Sequence, residues 1–176
     1  DLHPRVRRQR QMCIRDSKRG ALIDAKESDD VNPERASAGT QFCFVQGKKH
    51  SDAELDEKEV RINQIRRNWL YYKFLDRLKK EDPALAADSL ETELTNRALV
   101  MVEDTLADLG PYVIPAEHRE VYKTVGGVPH LDSSVTIFGE VVDGFDIVEK
   151  MSLVKTDKND RPIRDVMIKS TKVFQK

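Results

Sequence analysis

Residues 126–151 read GGVPHLDSSVTIFGEVVDGFDIVEKM, and this stretch decides the kind of fold. Within it VTIFGEVV, Val135 to Val142, is a compact run rich in β-branched residues, which marks a strand. Gly144 to Met151 reads as one or two helical turns. Upstream, a short helix is expected over Pro115 to Thr124. Pro115 stands in its first turn and the pair Gly126-Gly127 lies beyond its end. A strand set between short helices points to a mixed α+β domain.

Working outward, Ser51 and Glu54 have the spacing of a capping box, a helix start. Ile62, Ile65, Trp69, Tyr72 and then Leu75 or Asp76 recur at intervals of three and four, which is one helical face running to about Lys80. Asp82-Pro83 breaks it. A second helix carries Leu90, Leu94, Ala98, Met101, Thr105 and Leu109 on one stripe and ends at Gly110-Pro111. Two long helices with a short break between them predict an antiparallel αα-hairpin, with the Trp69 stripe as its seam. Further upstream, GALIDA (Gly20 to Ala25) fits a strand. Asp29 to Gly39 is turn chemistry around Asn32-Pro33. QFCFVQ (Gln41 to Gln46) reads as a buried strand. Asp165 to Phe174 is expected to form a final strand with mixed faces.

Residues 1–17, DLHPRVRRQRQMCIRDS, have no hydrophobic period and are expected to be a non-native or disordered tail. The string QMCIRDS resembles a translated sequencing adapter. The alternative is a basic arm for nucleic acid or lipid headgroups.

With a formal net charge of −1, the 176-residue chain has no global electrostatic reason to seek nucleic acid or an acidic membrane. No apolar run approaches the roughly 20 residues that span a bilayer, and the N-terminus has no apolar signal region. Cys13 and Cys43 make neither a disulfide framework nor a zinc site. Nucleophile elbows, zinc-protease motifs and phosphate loops are absent from the sequence. The four histidines, His3, His50, His118 and His130, are far apart in sequence.

Three segments in order resemble the cyclophilin-type peptidyl-prolyl isomerases: GALIDAKE, NPERASAGTQFCFVQGK, and GGVPHLDSSVTIFGEVVDGFDIVEKM. The first hallmark is Gly39, Thr40, Gln41, Phe42, Cys43 and Phe44. The second is His130, Leu131, Asp132, Phe138, Gly139 and Val141, followed by Gly-Phe-Asp-Ile-Val and Lys150. The phrase EHREVYKTVGGVPHLD is similar to that of bacterial members with extra helices, so residues from about 50 to 116 are expected to be a helical insertion. The resemblance implies an α+β fold class: an incomplete cyclophilin-like antiparallel β-barrel, its C-terminal half, with an inserted αα-hairpin. The domain is expected to be truncated over residues 18–176.

The chemistry so implied is rotation about an Xaa-Pro amide, whose barrier is about 18–20 kcal/mol. It needs a pocket and hydrogen-bond donors, with no cofactor and no metal. By resemblance the substrate-binding residues are Ala25, Lys26, Thr40, Gln41, Cys43, His130, Leu131 and Val135. Gln41 would position the peptide backbone, and Leu131 would line the proline pocket. Cys43 stands where an aromatic is usual, and is equally readable as a small buried hydrophobe. His130 stands in place of tryptophan and is equally readable as a surface-loop histidine. Val135 stands in place of histidine, and Lys26 in place of asparagine. The family's catalytic arginine belongs to an upstream Phe-His-Arg segment with no counterpart in this chain, so no catalytic residue is assigned. Losing one placed donor typically costs about 10²–10³ in rate. The partners implied are proline-containing peptides or unfolded protein segments. The location implied is the cell envelope or periplasm rather than the cytoplasm. Two other readings stand beside the enzyme: a non-catalytic proline-peptide binder, and an interaction protein that works through its helical hairpin.

Overall fold

A computed structural model describes residues 17–86 and 90–174. The proposed tail therefore lies outside the described residues except for Ser17, which is buried within the fold. The chain divides into two compact units after Glu140.

The first unit is α+β. Three antiparallel strands, β1 (Ala21–Asp24), β2 (Phe42–Phe44) and β3 (Ile137–Glu140), lie in the order β2-β1-β3. Leu22 pairs with Phe44, Ile23 with Cys43 and Asp24 with Phe42. On the other side Leu22 pairs with Gly139 and Ile23 with Ile137, so Phe138 is the extra residue of a bulge. Paired residues share a face. One face carries Ala21, Ile23 and Val45, against which Val128, Leu131, Val135 and Ile137 pack.

The strand around Cys43 differs from expectation. All three residues of β2 are exposed, Phe42 by 48%. An apolar run reports that a strand is suited to burial, not that something covers it. Among the described residues β2 is an edge, paired only with β1.

Three helices follow: α1 (Asp52–Glu81), α2 (Glu91–Leu109) and α3 (Ala116–Thr124). The capping box at the start of α1 forms as read. Glu54 N donates to Ser51 Oγ at 3.3 Å, and Ser51 N to Glu54 Oε2 at 2.8 Å. Lys48 and the Ser51 amide hold the Glu54 carboxyl down at about 2. A 3-10 turn at Pro83–Ala86 follows the break at Asp82. α1 and α2 then run antiparallel, with Arg67 paired to Glu103 and Arg66 donating to Gly110 O.

The seam of this hairpin is not the Trp69 stripe. Leu70 is buried on α1, and Leu94, Ala98 and Val102 on α2. Leu109, at the end of the expected stripe, is 58% exposed. Trp69 turns away from the seam and donates its indole N–H to Pro33 O at 2.8 Å. Spacing of three and four identifies an apolar face, and here its Trp69 packs on the 33–35 loop. A separate core of Leu55, Ile62, Ile114 and Tyr122 joins α1 to α3. Arg119 of α3 pairs with Asp56 and Glu59 of α1, which raise its already high pKa further. No helix among the described residues is long and apolar enough to cross a membrane.

The second unit contains α4 (Phe145–Ser152), entered through Gly144 and carrying the buried Val148. A tight loop follows, in which Asp157 Oδ1 accepts from the amides of Asn159 and Arg161. The expected final strand, 165–174, is not assigned to any ladder, and Met167 and Phe174 are exposed. Its alternation suits a sheet, but a strand also requires an edge to pair with.

Candidate functional site

The eight residues expected at the site do not fall into one pocket. Cys43, Leu131 and Val135 gather on the Ile23 face of the sheet: Cys43 by register, the other two by packing against Ala21, Ile23 and Val45. Thr40 and Gln41 instead line a cleft of about 410 Å³ with Asp24, Phe42 and Phe138. Asp24 builds that cleft. Its carboxylate accepts from Thr136 N and Ser37 Oγ, both at 2.7 Å, and so staples the 36–39 loop to the start of β3. Ala25 sits beneath, its carbonyl accepting from Ala38 N at 2.7 Å.

Lys26 reaches across to donate to Ser134 O. Burial lowers its pKa, assisted by the Arg35 guanidinium. Arg35 forks onto Asp29 through two 2.8 Å hydrogen bonds and donates to Ser133 O at 3.1 Å. Two cations thus hold successive carbonyls of the turn that follows Leu131. His130 lies half-buried on the 3-10 turn Pro129–Leu131. Burial first, then Arg61 and Lys58 of α1, hold it toward the neutral imidazole. α1 packs against the turn that presents His130 and Leu131.

Sequence reasoning missed the buried polar centre beneath this turn. Asp132 Oδ1 accepts from Tyr122 OH at 2.6 Å and from Ser17 N at 2.9 Å. Its other oxygen, Oδ2, is buried without a hydrogen-bond partner. Burial raises its pKa, against the opposing pull of the Tyr122 hydroxyl. A carboxyl whose folded pKa lies above its unfolded value, about 3.9, penalises the folded state once ionised. Stability should thus fall as pH rises through the unfolded value, and level off above the folded one. Asp132→Asn keeps a carbonyl for both donors and removes the titration. The difference in melting temperature between wild type and variant should change between pH 3.5 and 7, the wild type losing ground as pH rises. A pH-independent difference would mean that Asp132 ionises without cost.

Residues 119–173 match the model of the family described as Cyclophilin type peptidyl-prolyl cis-trans isomerase/CLD. The matched stretch includes His130, Leu131, Val135 and β3. Residues 20–46, whose likeness rests on motif order, lie outside the matched stretch. The relatives agree with the family. Peptidyl-prolyl cis-trans isomerase CYP71 of Arabidopsis thaliana is 42% identical over 64 residues, 36% of this chain and 10% of the relative. Peptidyl-prolyl cis-trans isomerase CYP18-2 of the same plant is 36% identical over 70 residues, 40% of this chain and 41% of the relative. Peptidyl-prolyl cis-trans isomerase-like 1 of Emericella nidulans is 41% identical over 71 residues, 40% of this chain and 42% of the relative. The chain spans 42% or less of the length of these relatives. No solved structure matches it.

Proposed function

We propose that this chain belongs to a peptidyl-prolyl cis–trans isomerase acting on Xaa-Pro bonds of unfolded or loop-exposed segments, and that its three-stranded sheet is part of a cyclophilin-like antiparallel barrel. The observation that carries the reading is the match over residues 119–173, the segment that presents His130, Leu131 and Val135. The register adds support, because it sets Cys43 on the face where Leu131 and Val135 pack. An apolar face beside buried hydrogen-bonding groups suits a proline ring and its flanking amides.

The direct test is exchange spectroscopy on a short Xaa-Pro peptide, whose unassisted isomerisation takes about 10–100 s. Cross-peaks between the cis and trans forms that grow with chain concentration, and vanish with Leu131→Asp, are expected. A second reading, a binder without catalysis, is favoured by one contact: Lys26 is committed to Ser134 O, where the family pattern has a substrate-binding asparagine. Binding of the peptide with no acceleration of exchange selects that reading and rejects isomerisation.

A further inference from the structure

Among the described residues, Arg35 and Ser133 are two of the non-glycine residues with a left-handed backbone, at φ 55° and 61°, and the two touch. Side chains disfavour that region, so such residues persist where their surroundings over-determine them. Arg35 Nη1 donates to Ser133 O at 3.1 Å. The same guanidinium forks onto the Asp29 carboxylate through Nε and Nη2, both at 2.8 Å. Its Cζ lies 4.5 Å from the centroid of the Trp69 ring, which Lys73 also approaches, at 4.9 Å. One planar group thus meets three pieces of chain: the 29–36 loop, the turn after Leu131, and α1. The loop is braced from within. Asn32 Nδ2 donates to Ala36 O at 2.8 Å, and Ala36 N to Asn32 Oδ1 at 3.0 Å. The turn closes on Leu131 O, which accepts from Ser134 N at 3.0 Å and Ser134 Oγ at 2.8 Å. Lys26 holds the turn from the end of β1, and Tyr122 of α3 holds it through Asp132. Arg35 links it to Trp69 of α1.

We propose that Arg35 is a positioning residue, which holds the Leu131–Ser134 turn to Trp69 of α1 and so sets Leu131 for the proline ring of a bound peptide. The helical hairpin thereby tunes the affinity of the site. Arginine suits the task because its plane offers a face to the indole while its edges supply directed donors to Asp29 and Ser133. A lysine is a point charge and cannot serve all three at once. Without the guanidinium, Ser133 keeps its disfavoured backbone with one hold fewer, and the turn relaxes. The peptide-binding half of the inference rests on the isomerase reading, whereas the hold on the turn does not.

Amide hydrogen exchange at Ser134, whose N–H donates to Leu131 O, reads the turn directly. Arg35→Gly accepts the left-handed φ and removes the guanidinium. A charge-assisted hydrogen bond corresponds to about tenfold or more in an equilibrium, so Ser134 exchange should quicken about tenfold in this variant. Arg35→Lys should fall between it and the wild type. Trp69→Leu should quicken exchange as well, but add nothing once Arg35 is replaced by glycine. Unchanged exchange in Arg35→Gly overturns the proposal. So do additive effects, which would mean that α1 supports the turn by direct packing. If Arg35→Gly fails to fold, the cycle runs with Arg35→Lys and the same two outcomes decide. Cis–trans exchange of an Xaa-Pro peptide tests the other half. In Arg35→Gly, KM should rise several-fold with kcat unchanged, because bound peptide selects the closed turn and only its population has changed. A merely structural role would lower the melting temperature and leave KM, measured well below it, where it was. An unchanged KM, or a loss confined to kcat, overturns the positioning of Leu131. A wild-type chain that neither binds nor exchanges the peptide rejects the isomerase reading alone, and the Ser134 cycle still decides the hold.

Discussion

Replacing Gly47 with alanine should destabilise the first unit by about 4 kcal/mol, in the range reserved for backbone collisions and large core deletions. Gly47 has φ 56°, where a Cβ alone costs roughly 1–2 kcal/mol. The larger part is contact. A Cβ there would stand 2.2 Å from Gly127 O and 2.5 Å from Gly127 Cα. Backbone cannot rotate aside as a long side chain can. Moving Gly127 would break the hydrogen bond its N–H donates to Lys48 O at 3.0 Å and the His50 Nε2 contact to its carbonyl at 3.1 Å. It would also disturb the neighbouring bonds of Arg19 N to Gly126 O and Val128 N to Ser17 O. The crossing joins the segments before β1, after β2 and after α3, so its loss is felt across the unit. Gly110→Ala is the matched control: its φ is 67°, but nothing lies within 4 Å of the added carbon. With ψ 175° its backbone lies in a region open essentially to glycine, so the cost should be about 1–3 kcal/mol from the backbone alone. Denaturant midpoints followed by circular dichroism would compare the two. Equal losses would show that the Gly127 backbone yields, and that the crossing is not rigid.

What was legible in the sequence is what local chemistry determines. Ser51 with Glu54, Asp82-Pro83, Gly110-Pro111 and Pro115 set helix ends through groups a few residues apart, and the helices begin and end there within one or two residues. The runs 20–25 and 135–142 contain β1 and β3 for the same reason. What covers each face was not legible. The Trp69 stripe is a real face of α1, but it meets Pro33 and Arg35, from a loop more than thirty residues away in sequence. Phe42 and Phe44 have the composition of a core, yet both are exposed, with Phe42 meeting the rings of Phe44 and Phe138 edge-on at 5.5 and 6.3 Å. Residues 165–174 alternate as a strand does without entering a ladder. The candidate site divides along the same line. Leu131 and Val135 were expected from the motif, and they pack on the face that carries Ile23. The Asp132 centre draws on Ser17 and Tyr122, and its furthest partner is 115 residues away. Periodicity carries no information at that separation, and Ser17 read only as the end of a tail.

That centre carries the other large effect. Tyr122 is fully buried among Leu55, Ile62 and Ile114, with its hydroxyl between Ser17 N and Asp132 Oδ1. Tyr122→Ala should cost about 4 kcal/mol through the cavity it leaves, as for other buried aromatics. Tyr122→Phe keeps the ring and removes only the hydroxyl. Ser17 N retains its 2.9 Å bond to Asp132, so the loss should be about 1–2 kcal/mol at neutral pH. The two variants should also differ from each other in their response to acid. The hydroxyl donates to Asp132 and favours its ionised form, working against the burial that raises the carboxyl pKa. Without it the charged carboxylate keeps one donor instead of two, and its pKa moves up again. The ionised folded state is penalised further, while the protonated one loses less. The cost of Tyr122→Phe should therefore be larger at pH 7 than at pH 4, and equilibrium unfolding of wild type and variant at the two pH values would measure it. A cost that is equal at both, or larger in acid, would mean that the hydroxyl does not hold the carboxylate. The turn bearing His130 and Leu131 would then owe its position to packing against α1 rather than to the Asp132 centre beneath it.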